Sequence, residues 1–160
     1  MPGESNVWRS RIAMCAEPHH VIDALTEVEA AQSWSPVSFE LDEPDLLRLR
    51  AGTRVGVTGS VVGQRVRFRL EVFEADSRRL RLRAAGPVDL MAEYVVHPVA
   101  GGSRVDAALS VQHRPGRLAA LLCRVTAGLL GGGALERTLT RVAREAERRQ
   151  RSALLVDVPA

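Results

Sequence analysis

The sequence predicts an α+β domain: a curved antiparallel sheet of about seven strands around one long C-terminal helix, enclosing a hydrophobic cavity. Three observations carry this. One strand-like run is followed by two short helix-like stretches, opened by Pro18 and closed by Trp34-Ser35-Pro36. Six period-two runs then succeed one another between turn residues. The chain finishes in an Arg- and Glu-rich stretch with helical spacing. A sheet with one wet and one dry face needs a cover, and only the terminal helix is long enough to supply it.

The elements follow in order. Val7 to Cys15 alternates, with Ser10, Ile12 and Met14 opposite Arg9, Arg11, Ala13 and Cys15, which is the period of a half-buried strand. Pro18 suits a first helical turn, and Val21, Ile22 and Leu25 give that helix an apolar face. Val28 to Ser33 forms a second short helix, ended by Pro36. Val37, Phe39 and Leu41 share a strand face until Pro44. A Val-rich run from Thr53 to Val62 turns at Gly63-Gln64. Val66, Phe68, Leu70 and Val72 then oppose Arg65, Arg67, Arg69 and Glu71. After the turn at Ala75 to Arg78, Leu80, Leu82 and Ala84 oppose Arg79, Arg81 and Arg83. Gly86-Pro87 leads to an inward set of Leu90, Ala92, Tyr94 and Val96. Gly101-Gly102 leads to the last set, Val105, Ala107, Leu109, Val111 and His113.

In the terminal helix Leu135, Leu139, Val142 and Ala146 make an apolar stripe. Arg141 with Glu145, and Glu145 with Arg149, are spaced as ion pairs. Leu118 to Leu130 is apolar nearly all round. It therefore calls for a second burial: a homodimer contact, a gate over the pocket, or transient membrane docking. The glycines from Gly131 to Gly133 weaken the helix there, as a kink or as a hinge for ligand entry.

The 160 residues suit a single domain, residues 1–160, with flexible tails expected at 1–6 and 150–160. All 22 basic residues are arginine, which reads as the coding bias of a GC-rich bacterium. The net charge of +3 is a weak pull on acidic partners. The first residues lack the basic and apolar regions of a secretory signal. Cys15 and Cys123 form neither a metal spacing nor a disulfide framework. The expected compartment is the cytoplasm. Arg124 and the glycines interrupt the most apolar stretch, so stable membrane insertion is not expected. No aromatic residues interleave the strand arginines, so that face reads as solvated and not as a nucleic-acid site. His19 and His20 are adjacent and lack the spacing of a helical metal pair. No motif implies an organic cofactor.

Several stretches together resemble one superfamily. They are Ala16-Glu17-Pro18-His19-His20-Val21, Trp34-Ser35-Pro36, Tyr94-Val95-Val96-His97-Pro98 with Gly101-Gly102-Ser103-Arg104-Val105, and Leu139 to Glu147. Their order is similar to the helix-grip fold of the START/Bet v 1-like (SRPBCC) superfamily, and to its polyketide cyclase/dehydrase-like family. The resemblance spans about residues 7–149. It implies a hydrophobic small molecule between sheet and helix: a polyketide chain for a cyclase of natural-product biosynthesis, or a lipid or quinone for a carrier.

The inward set is almost wholly apolar, which departs from the polar cavities of aromatase-type relatives. The leading expectation is a cofactor-independent, polyketide cyclase-like protein that shapes ring closure by confinement. Tyr94 would donate to a ligand carbonyl, and His113 would move a proton. Met14, Trp34, Phe68, Leu82, Leu90, Leu109 and Val125 are the expected ligand contacts. The alternative is a non-catalytic carrier or sensor, with Tyr94 a core residue. A third reading is an interaction protein using the arginine face or the apolar helix.

Overall fold

A computed structural model describes residues 6–35, 38–61, 63–112 and 116–156. Strand β1 (Asn6–Met14) leads into helices α1 (Pro18–Thr26) and α2 (Val28–Trp34), then strand β2 (Phe39–Leu41). Strands β3 (Arg54–Val61), β4 (Gln64–Ala75), β5 (Arg79–Ala85), β6 (Asp89–Val99) and β7 (Gly102–Gln112) follow. Helices α3 (Arg117–Gly131) and α4 (Ala134–Val156) complete the chain. The seven strands form one sheet in the order β1-β7-β6-β5-β4-β3-β2, antiparallel throughout. This is the expected helix-grip architecture. The first two strands stand at opposite edges, so α1 and α2 carry the chain from one edge to the other.

Strand parity holds in the sheet. Val66 and Val72 of β4 are buried while Arg65, Arg67 and Arg69 are exposed. The register slips between Val72 and Glu74. Phe73 is the extra residue, 38% exposed, and such a bulge bends its strand. The outer arginines are largely matched: Arg54 with Glu71 at 3.1 Å, Arg79 with Glu74 at 3.5 Å, Arg83 with Asp89 at 2.9 Å, and Arg67 with Asp42. Exposed pairs stabilise little, but these cancel much of the face's positive charge.

The junction of α1 and α2 has no glycine or proline. Residues 47–49 of the loop after β2 interrupt the helix instead. Leu49 N–H donates to the Thr26 carbonyl at 2.8 Å, and Val28 N–H donates to the Leu47 carbonyl at 3.0 Å. Glu27 between them takes an extended conformation, and Arg149 of α4 holds its carboxylate at 2.6 Å.

The α4 stripe is buried as expected: Leu135, Leu139, Val142 and Ala146 are each at most 5% exposed. They pack α4 against β1, α1 and α2. Burying each Leu or Val stabilises by about 1.5–3 kcal/mol. Glu145 pairs with Arg148 at 2.6 Å and Arg149 at 3.1 Å. The expected Arg141 pair is not made; Arg148 and Arg149 hold the Glu145 carboxylate instead.

The helix breaks at the glycines, where the sequence weakens it; Gly133 has φ +88°, a left-handed conformation that favours glycine. Beyond the break α4 is helical to Val156, with Leu154 and Leu155 exposed. α3 has α4 as its main neighbour. No helix among the described residues is long and apolar enough to cross a membrane. His113 lies outside the described residues.

Candidate ligand cavity

An apolar cavity of about 210 Å³ lies between the sheet and the two short helices. Phe68, Leu70, Leu82, Leu90 and Tyr94 of β4, β5 and β6 form one wall. Leu25, Val28, Ala31 and Trp34 face them, and Phe39, Leu41 and Leu49 close the side. Larger concavities lie on the surface with charged linings.

The structure brings together five of the expected site residues: Tyr94, Trp34, Phe68, Leu82 and Leu90 all line this cavity. Three others do not line it. Met14 is buried at the end of β1, the strand that α4 covers. Leu109 is packed on the core of β7, opposite Trp8 of β1 and Ala92 of β6. Val125 is half-buried on α3. The cavity occupies the other half of the sheet, towards β4 and β5. Parity assigns a face to a residue but not a position along the sheet, so it could not separate these two groups. Val28 and Ala31 were missed, although their spacing with Trp34 is that of one helical face. Leu49 carries no local signal, since it reaches the cavity only because its loop pairs with the α1–α2 junction.

The polar groups of the wall decide its chemistry. Trp34 Nε1–H donates to the Ala24 carbonyl at 2.8 Å, which fixes the indole. Its ring meets Tyr94 edge to face, with centroids 6.3 Å apart and planes at 67°. Tyr94 is 8% exposed and lines the cavity; no hydrogen bond joins its hydroxyl to another described residue, and its oxygen is not among the buried unpaired atoms, so it is open to the cavity. Burial pushes its phenol up to about 12. At neutral pH Tyr94 is therefore a neutral donor and not a base. Among the described residues the wall holds no carboxylate, imidazole or guanidinium.

The phenylalanine wall depends on a glycine. A Cβ at Gly86 would lie 2.6 Å from Phe68 Cδ1 and 2.8 Å from the Arg67 carbonyl oxygen. Only a residue without a side chain lets the Phe68 ring lie there.

Outside the cavity, Glu17, His19 and His20 cluster on the first turn of α1, with donor atoms within 4.8 Å of one another. The His19 and His20 rings are 4.0 Å apart. Burial, then the neighbouring His19, lowers the His20 pKa below 6.5. None of the three lines the cavity.

Comparison with known proteins gives a consistent fold. The protein TTHA0849 from Thermus thermophilus is similar with a TM-score of 0.66 and 20% identity, covering 90% of this chain and 99% of its own. Ara h 8.0201 is similar with a TM-score of 0.57 and 14% identity, over 87% and 98% of the two chains. DynU16, from the dynemicin biosynthetic locus, gives a TM-score of 0.58 and 19% identity, over 90% of this chain and 48% of its own. No curated protein matches the sequence. The family model described as polyketide cyclase / dehydrase and lipid transport matches residues 7–147, and the chain belongs to that family.

Proposed function

We propose that this protein binds a compact apolar molecule in the cavity between α2 and the sheet, with Tyr94 donating a hydrogen bond to it. The observation that carries this is a buried phenol, without a partner among the described residues, on a largely apolar wall. A phenol that lines an apolar space is a donor in want of a partner, and a ligand acceptor supplies one. Size limits the ligand. An apolar cavity of about 150 Å³ suffices for benzene, so 210 Å³ suits a body of one or two rings. The role is then carriage or sensing of that molecule.

The same hydroxyl supports a second reading, ring closure of a polyketide-like chain. A neutral donor polarises a carbonyl as charge develops on its oxygen, and the apolar wall holds the chain near its attack geometry. The family description includes both cyclases and lipid transport.

One capture experiment tests both. Protein incubated with host extract is washed, and the bound and released compounds are compared by liquid chromatography and mass spectrometry. A compound released unchanged supports carriage. One released at the same mass with a new retention time, or one water lighter, supports cyclisation. Ala31→Phe, which fills the cavity, should abolish capture; capture that survives it would overturn the cavity assignment.

A further inference from the structure

The chain is poor in aromatic residues, with two tryptophans, one tyrosine and three phenylalanines. Trp34, Phe39, Phe68 and Tyr94 nevertheless line one cavity. Trp8 and Phe73 are the two that do not. Core packing does not account for this concentration. The largest fully buried side chains are Leu25, Leu80 and Leu139, followed by valines, and none is aromatic. The tightly packed interior is thus aliphatic, and the rings stand where space is left. They converge from separate elements: Trp34 from α2, Phe39 from β2 at the sheet edge, and Phe68 and Tyr94 from β4 and β6.

An aromatic wall attracts a ligand ring edge to face or offset-stacked, beyond the area that the contact buries. A saturated body of the same size gains the burial alone. The rings are already oriented. The Ala24 carbonyl holds the Trp34 indole at 2.8 Å, Tyr94 meets that indole edge to face, and Phe68 lies against the bare Cα of Gly86. Among the described residues the wall carries no charged side chain, so nothing there offsets the desolvation of a carboxylate. The Tyr94 hydroxyl opens on the same space and offers one donor to one uncharged acceptor.

We propose that the cavity selects a planar aromatic ligand that carries an uncharged carbonyl, and rejects saturated chains and carboxylates. This rests on the cavity being the ligand site proposed above, and it narrows the ligand from a compact apolar molecule to an aryl ketone or its chemical equivalent. The carbonyl accepts from Tyr94, which raises affinity about 2- to 13-fold. Ring contacts with Trp34 and with Phe68 each contribute a further factor of about 2 to 13. A carboxylate set against this wall weakens binding by about a hundredfold or more. A fatty acid is disfavoured on both counts.

The test is equilibrium dialysis, with chromatographic quantification, of four probes of similar size: acetonaphthone, ethylnaphthalene, acetyldecalin and naphthoate. Each is measured with the wild-type protein and with Tyr94→Phe, Phe68→Leu and Ala31→Phe. Acetonaphthone should bind tightest, with ethylnaphthalene and acetyldecalin each at least about twofold weaker. Naphthoate should bind weakest at neutral pH. Tyr94→Phe should erase the advantage of acetonaphthone over ethylnaphthalene, and Phe68→Leu should narrow its advantage over acetyldecalin. Both effects are ratios within one variant, so a general loss of stability does not mimic them. If acetyldecalin or naphthoate binds as tightly as acetonaphthone, or the two ratios survive their variants, while Ala31→Phe abolishes binding, the aromatic carbonyl assignment is overturned and the cavity stands. If no probe binds, or Ala31→Phe leaves binding unchanged, the cavity reading fails and this assignment fails with it.

Discussion

Replacing Tyr94 with phenylalanine removes one hydroxyl and keeps the ring that packs against Trp34. Deleting a hydroxyl that was bonded in the interior typically costs about 1 kcal/mol or more. The Tyr94 hydroxyl has no partner among the described residues, so its loss should leave stability unchanged or raise it. The larger effect lies at alkaline pH. The ordinary phenol value is 10.0, and burial raises it to about 12. The folded protein therefore holds the phenolic proton more tightly than the unfolded chain. Above pH 10 the unfolded chain ionises first, and stability falls until the folded phenol ionises near pH 12. Two units at 1.36 kcal/mol each correspond to about 2.7 kcal/mol. The phenylalanine variant should lack this loss. Tyr94 is the only tyrosine, so tyrosinate absorbance reports it alone. Urea unfolding across the alkaline range, with that absorbance titration, measures both quantities. A variant destabilised by more than about 2 kcal/mol near neutral pH would mean that the hydroxyl is bonded. A phenol titrating at its ordinary value, with equal alkaline losses in both proteins, would mean that it is not buried. For a ligand bearing a carbonyl, the variant should bind about 2- to 13-fold more weakly.

Other expectations concern the wall and the terminal helix. Gly86→Ala places a methyl group 2.6 Å from Phe68. It should destabilise the protein by about 1–3 kcal/mol and weaken binding of apolar ligands. Unfolding and titration check this, and unchanged values for both would show that Phe68 is free to move aside. Glu145→Gln concerns pH. The hydrogen bond from Arg148, then that from Arg149, holds the Glu145 carboxyl below its ordinary 4.5, against desolvation. Its contribution is fully present above that ordinary value and is lost as pH falls through the lowered folded value. The glutamine variant should be less stable at neutral pH and lose less on acidification. Equal acid limbs in the two proteins would contradict this.

Much of the fold was legible because its signals are local. Alternation along β4 and β5 separates Leu and Val from Arg within a few residues, and the pleat turns that alternation into two faces. Turn residues placed the hairpins, and Leu135, Leu139, Val142 and Ala146 marked the face that α4 buries. The apolar character of the cavity follows from the same inward residues.

Tertiary structure decided where along the sheet that cavity lies. Met14 and Leu109 share the inward face with Phe68, Leu82 and Leu90, but only the last three line the cavity. The difference is that α4 covers β1, while α1 and α2 stand over the other half at a distance that leaves room. The loop at 47–49 breaks the two short helices through backbone hydrogen bonds that no local pattern encodes. The meeting of Tyr94 and Trp34 on the cavity wall likewise depends on residues distant in sequence. Local periodicity determined which side chains turn inward; the packing of remote segments decided how much space they enclose and which polar group is left facing it.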